Sequence, residues 1–299
     1  MKKALLLAFV AVLAACGQDE TDGSSQAGGA AADRAPAKFY FSAIPDQGAT
    51  ELNEKFDRIA KHLSAELGVP IEYRASSDYG AAVEMFKNGD IHLAWFGGLS
   101  GCQARAAVKG ARAIAQGKSD PKFITYFIAH KDSGIEPSDA FPEKLADTNF
   151  AFGSEKSTSG RLMPEFFIRK NTGMGPGELF KSIQFSGSHN KTAAMVASGQ
   201  VQAGAINFKV YDKMVATKKI DPSVCRVVWK TPAYADYNWT AHPDLDKRYG
   251  AGFIDKLQDA LVGLKGDLLS VFPREAMIPA KNEDFDGIAK VAKQLDLMR

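Results

Sequence analysis

Cysteine is nearly absent: the 299 residues contain only 3, at positions 16, 102 and 225. So sparse a set excludes a small domain stapled by disulfides, and the isolation of Cys102 and Cys225 argues against both a zinc cluster and a thiol nucleophile. Charge of one sign is lacking too, with 37 Lys and Arg against 35 Asp and Glu, a formal net charge of +2. Nucleic-acid binding needs a concentrated basic face to engage phosphates, and nothing here supplies it. Signatures of catalysis are missing as well. The sequence has no Gly-x-Ser-x-Gly elbow, and its 5 histidines include no His-Glu-x-x-His pair, which leaves a hydrolase without a nucleophile or a zinc site. No apolar run approaches the ~20 residues that a membrane-spanning helix requires. The nearest, residues 4–15, is too short.

That short run has a different meaning. Lys2 and Lys3 precede it, and Leu13-Ala14-Ala15-Cys16 closes it with small residues before a cysteine. This is the order of an export signal, and its last four residues resemble the lipobox of bacterial lipoproteins. The expectation is a signal peptide over 1–15 and a lipid on Cys16, with membrane attachment through that anchor only. Residues 17–36 are Gly, Ser, Ala, Gln and acidic residues without apolar periodicity, so 16–37 reads as a flexible tether. The exported remainder is close to neutral and is expected to be a monomer.

From residue 39 onward, strand-like and helix-like patterns alternate. A strand over 39–44 is followed by a helix bearing Phe56, Ile59, Leu63 and Leu67, which Gly68 and Pro70 end. Ser77-Asp78-Tyr79 caps a second helix that stops at Asn88-Gly89, and the apolar strand 92–96 follows at once. Short connections and nearly continuous apolar strands predict parallel sheets covered by helices, an α/β fold. Residues 85–91 and 195–201 echo each other as helix, Gly stop and strand start. Two related lobes would explain the echo, but any helix-Gly-strand unit would look alike. Residues 123–130 read as one crossing between lobes and 227–230 with 237–241 as a return crossing. Cys102 and Cys225 then fall in different lobes and do not pair.

Several segments have the chemistry of an anion site. Ser157-Thr158-Ser159-Gly160 follows the strand 149–152 and opens a helix over 162–170. Helix N-termini present free N–H groups and positive potential, three hydroxyls add donors, and Gly160 permits close approach. Ordinary capping would need one hydroxyl, not three. The run is not a phosphate-binding P-loop, because Lys156 precedes the hydroxyls. Phe96-Gly97-Gly98 lies at the carboxyl end of a buried strand, where open α/β sheets bind ligands, although paired glycines also suit a plain turn. Tyr79 and Ser77 offer hydroxyls nearby, Asn207 ends the strand 203–206, and Tyr237 lies in the return crossing. Arg161 and Lys191 are candidate counter-charges, which solvated helix faces would equally explain.

Four segments, 77–81, 88–98, 157–161 and 188–192, together resemble the phosphate, phosphite and phosphonate family of type II periplasmic binding proteins. Residues 95–101, 154–164 and 236–240 are most similar to its selenate-binding branch. The resemblance implies two lobes, each a mostly parallel sheet flanked by helices, with 38–126 and 236–299 forming one and 127–235 the other. It further implies a tetrahedral oxyanion in the cleft, no cofactor and no metal, His189 approaching the anion from the second lobe, and an ABC permease with its ATPase as partners. A sensory lipoprotein of the same fold is the competing role. Acidic residues are missing at Asn190, Asn207 and Lys209, where phosphonate-binding relatives tend to carry them. A fully ionised dianion such as selenate or sulfate is therefore the expected ligand, ahead of phosphite, phosphate or a phosphonate.

Overall fold

The computed structural model describes residues 37–47 and 49–298; the expected signal peptide, Cys16 and tether lie outside them. The strands, in chain order, are β1 (Phe39–Ala43), β2 (Ile71–Tyr73), β3 (Leu93–Phe96), β4 (Arg112–Gly117), β5 (Thr125–His130), β6 (Asn149–Phe152), β7 (Ser182–Phe185), β8 (Ala203–Asn207), β9 (Cys225–Lys230), β10 (Asn238–Ala241) and β11 (Met277–Pro279). The helices are α1 (Ala49–Leu67), α2 (Tyr79–Lys87), α3 (Gly98–Ala107), α4 (Met163–Thr172), α5 (Pro176–Leu179), α6 (His189–Ala197), α7 (Phe208–Ala216), α8 (Asp244–Tyr249), α9 (Phe253–Val262) and α10 (Asp286–Gln294).

Two sheets form, one in the order β11-β4-β10-β3-β1-β2 and the other β7-β6-β8-β5-β9. Each is the spine of an α/β lobe. The mostly parallel pairing expected of each lobe holds where a helix intervenes, at β1–β2, β1–β3, β6–β7 and β6–β8. Strands entering straight from a crossing have no helix to turn them round, so β10 pairs antiparallel with β3 and β4, and β5 with β8 and β9. Both sheets are therefore mixed. No helix among the described residues is long and apolar enough to cross a membrane.

The two crossings hold each other. Phe123 N–H donates to the Tyr234 carbonyl at 2.8 Å, Tyr234 N–H donates back at 2.9 Å, and Asp236 N–H donates to the Asp120 carbonyl at 3.0 Å. They form a short two-stranded base under the space between the lobes. Above it on the first lobe, Phe41 packs on Phe56 of α1 and on Trp239, and Trp95 stacks on Tyr237 at 5.4 Å between ring centres. Burial of these rings fixes the ends of β1, β3 and β10 relative to one another.

The echo between 85–91 and 195–201 is a shared way of stopping a helix. Gly89 and Gly199 have φ of +75° and +74°, and the amides of Ile91 and Val201 each reach back to a Met carbonyl at 3.3 Å. Helix α7 ends alike through Lys218 and Ile220, so the pattern reflects αL capping rather than a particular kinship of two segments. Cys102 and Cys225 are both buried free thiols, one in α3 and one in β9. At Gly204 of β8 a Cβ would lie 2.8 Å from the Ala151 carbonyl and 2.9 Å from Thr192 of α6. Gly204→Ala is expected to cost ~1–3 kcal/mol in urea unfolding; an unchanged midpoint would contradict this close seating of α6 on its sheet.

Candidate functional site

The second lobe contributes a turn whose hydroxyls have separate tasks. Ser157, five residues beyond the end of β6, is extended, and its Oγ accepts from Gly160 N–H at 2.9 Å. Residues Thr158–Leu162 then wind as one π turn before α4 begins. Such turns widen the helix entrance and recur at functional sites. Thr158 Oγ1 crosses to the first lobe and accepts from Leu99 N–H at 2.9 Å. The Ser159 carbonyl accepts from Thr125 Oγ1 at 2.8 Å, and its side chain lies beside the Tyr234 hydroxyl in the return crossing. Capping, closure and bracing of the hinge thus fall to three adjacent residues.

Gly97 and Gly98 sit where β3 meets α3, and a Cβ on Gly97 would lie 3.1 Å from Thr158 Oγ1 and 3.3 Å from Asp236 Oδ1. The close approach explains the glycine. Their amides, expected to face the ligand, are taken by protein atoms: Gly97 N–H donates to Ser100 Oγ at 3.1 Å and Gly98 N–H to Asp236 Oδ1 at 2.8 Å. Phe96 is buried against Phe86, so only its backbone reaches the strand end. Ser77 is exposed, donating to Asp78, the residue that caps α2 by accepting from Ala81 N–H. Arg161 is also elsewhere. Its guanidinium pairs with Glu165 one turn on and lies over Phe152 and Phe185, while Lys191 is exposed. Neither cation is brought to the cleft, because an i,i+4 partner and two rings hold the first and water the second.

Buried polar atoms without a partner are costly and demand explanation. Three of them surround the Ser157–Gly160 turn: Tyr79 Oη, His189 Nε2 and Asp236 Oδ2. Tyr79 opens α2, with the Ser157 side chain beside its hydroxyl. His189 opens α6, and a Cβ on Gly160 would lie 3.1 Å from its Cε1. Asn207 N–H donates to His189 Nδ1 at 3.3 Å, which assigns the ring proton to Nε2. Burial pushes His189 down to about 3, so the ring is neutral and its Nε2–H is a donor. Asn207 has further duties: its Oδ1 caps α7 through Lys209 and Val210 N–H, and its Nδ2 donates to Tyr237 Oη at 2.9 Å. Tyr237 Oη in turn donates to Asp46 Oδ2 at 2.7 Å.

The carboxylates are what sequence reasoning missed. Positions 190, 207 and 209 hold no acid, but Asp46 and Asp236 arrive from the other lobe and the return crossing, 6% and 1% exposed. Asp46 follows β1 at the carboxyl end of its strand, a position that the strand-end rule could have flagged. Asp236 immediately precedes Tyr237 and was passed over for it. Its Oδ1 accepts from Gly98 N–H and Tyr237 N–H. Burial drives the Asp236 carboxyl up to about 7, against the pull of Gly98 and Thr158, with Asp120 adding to the rise. Folding therefore takes up a proton there. The stabilisation is complete below the ordinary carboxyl value near 4 and is lost as pH rises through about 7. Without ligand, Asp236→Asn should match the wild type in thermal melts at pH 4 and exceed it at pH 8 by up to a few kcal/mol. Equal melting at both pH values would mean that Asp236 is solvated and ionised.

The chain is similar to several known proteins. The family described as "ABC transporter, phosphonate, periplasmic substrate-binding protein" matches residues 41–285. A probable phosphite-binding protein of an ABC transporter from Prochlorococcus marinus is 35% identical, over 88% of this chain and 92% of its own length. The phosphate-import protein of Mycolicibacterium smegmatis is 28% identical over 97% of this chain and 94% of that one. A solved structure of the Prochlorococcus protein with methylphosphonate superposes with a TM-score of 0.82, covering 87% of this chain and 98% of that one. A binding component of a phosphonate transporter from Pseudomonas aeruginosa, 20% identical, shares the fold at a TM-score of 0.74 over 86% of this chain and 85% of that one. The chain belongs to the periplasmic phosphonate substrate-binding proteins of ABC transporters, a family of binding proteins and not of enzymes.

Proposed function

We propose that this substrate-binding protein captures a small phosphorus oxyanion that carries a proton, phosphite or a short phosphonate, in preference to selenate or sulfate. The observation behind this is Asp236 Oδ2, an unpartnered carboxyl oxygen buried beside the Ser157–Gly160 turn. Fully ionised dianions only accept hydrogen bonds, so above about pH 7, where the Asp236 carboxyl is ionised, it repels them. A protonated phosphorus oxyanion can share one proton with Asp236 in either direction. The earlier preference for a sulfate-like dianion rested on missing acids, and Asp46 and Asp236 remove that premise. The Prochlorococcus relative, named for phosphite and solved with methylphosphonate, supports the same choice.

On this reading Tyr79 Oη, His189 Nε2–H and the Thr158 and Ser159 amides donate to the anion, and Asp236 shares the proton. Asn207, Tyr237 and the Gly97-Gly98 turn position these groups. The lobes, 38–126 with 236–299 and 127–235, close about the paired crossings because donors from both reach the ligand only when closed. The closed monomer then delivers the anion to a permease and its ATPase. Cys16 carries the lipid that tethers it to a membrane, a point that Cys16→Ser tests by releasing the protein from membranes; continued membrane partition would refute it.

Titration calorimetry with phosphite, methylphosphonate, phosphate, sulfate and selenate decides the ligand. Phosphite or methylphosphonate should bind at ~micromolar affinity or better, with sulfate and selenate at least a hundredfold weaker. Asp236→Asn should narrow that gap. Selenate binding tightest would reverse the assignment.

A further inference from the structure

Beneath the cleft lies a buried ion pair that neither the anion nor the lobe surfaces require. Arg274, from the segment before β11, donates through Nε to Asp120 Oδ1 at 2.7 Å, and the two side chains are 4% and 0% exposed. Asp120 belongs to the first crossing, where its Oδ2 accepts from Gly117 N–H at 2.8 Å and its carbonyl from Asp236 N–H at 3.0 Å. The Arg274 guanidinium lies 5.0 Å from the ring centre of Tyr237, 5.7 Å from Phe123 and 5.9 Å from Trp95. It thereby touches both crossings and the end of β3. Gly117 registers the tightness: a Cβ there would stand 2.6 Å from Arg274 Cγ and from Asp120 Oδ2. Arg274 also lines a small cavity, about 20 Å³, together with Asp46, Asn207, Trp95 and Tyr237.

A buried pair of this kind gains little stability over an apolar replacement, because desolvating both charges is expensive. What it supplies is geometry. Arginine offers a planar fork that can bond one partner edge-on while stacking on rings, which a lysine cannot do. Here one bonded partner is in the hinge, the other is the Phe272 carbonyl of the segment that carries Arg274, and a stacked ring carries the hydroxyl that bridges Asp46 and Asn207.

We infer that Arg274, held by Asp120, is a positioning residue that aims Tyr237 across the closed cleft, so that hinge geometry is transmitted to the ligand site. This goes beyond the choice of ligand and depends on it only for the probe used. The first test is ligand-free: in a crystal structure of Arg274→Met, the Tyr237 hydroxyl should leave hydrogen-bond reach of Asp46 or Asn207. An unmoved hydroxyl overturns the inference whatever the protein binds. The second is a double-mutant cycle read by phosphite and methylphosphonate titration. Arg274→Met and Tyr237→Phe should each weaken binding tenfold or more, and the double variant no more than either alone. Multiplied effects would mean that Arg274 serves stability only. Arg274→Lys, which keeps the charge and loses the fork, should behave like Arg274→Met; full rescue by lysine would contradict positioning. Failure of the wild type to bind either probe would count against the proposed ligand, while the crystallographic outcome would still decide the role of Arg274.

Discussion

A carboxyl group taken out of water must be protonated, paired with a cation or given hydrogen bonds, and Asp236 meets this constraint at the point where everything else converges. Two amides, from Gly98 and Tyr237, hold one oxygen. They fix its orientation without neutralising it, which leaves the other oxygen without a partner inside the protein. The close glycine turn at Gly97, the crossing bond from Asp236 N–H to Asp120 and the Thr158 bond to the first lobe are all conditions for keeping that carboxyl dry. Withdrawing any of them admits water and lowers the energy of the ionised form.

Around Asp236 the neutral donors are set by the same economy of partners. Asn207 is the clearest case, since its amide fixes the His189 tautomer, its side-chain oxygen caps α7 and its side-chain nitrogen steadies Tyr237. Both Tyr79 and His189 are first residues of helices, α2 and α6, so the positive potential of a helix end reaches the place where each points its donor. On the proposed reading the anion is bound without any buried arginine or lysine in contact with it. Arg161 is kept from the cleft by Glu165, and Arg274 is occupied by Asp120.

Most of the architecture was legible in the sequence because it is locally encoded. The strands 149–152 and 203–206, the Asp78 cap and the Gly89 and Gly199 stops depend on nearby residues, and the structure places them within a residue of the expectation. The Ser157 turn and the placement of Tyr79, His189, Asn207 and Tyr237 were legible for the same reason, since they occupy strand ends and helix starts. Sheet direction was less so, because antiparallel entry of β5 and β10 follows from where the chain crosses between lobes. The carboxylates were least legible. Asp46 and Asp236 lie 190 positions apart, and only the sheet of the first lobe, in which β1 and β10 flank β3, brings both to Tyr237. The capture of Arg161 by Glu165, by contrast, is readable from i,i+4 spacing.

The most direct measurement is a crystal structure of the protein with phosphite bound. The account predicts oxyanion oxygens about 3 Å from Tyr79 Oη, His189 Nε2 and Asp236 Oδ2, with the lobes closed over them. Phosphite bound elsewhere, or in the cleft with Asp236 Oδ2 turned away from it, would contradict the account.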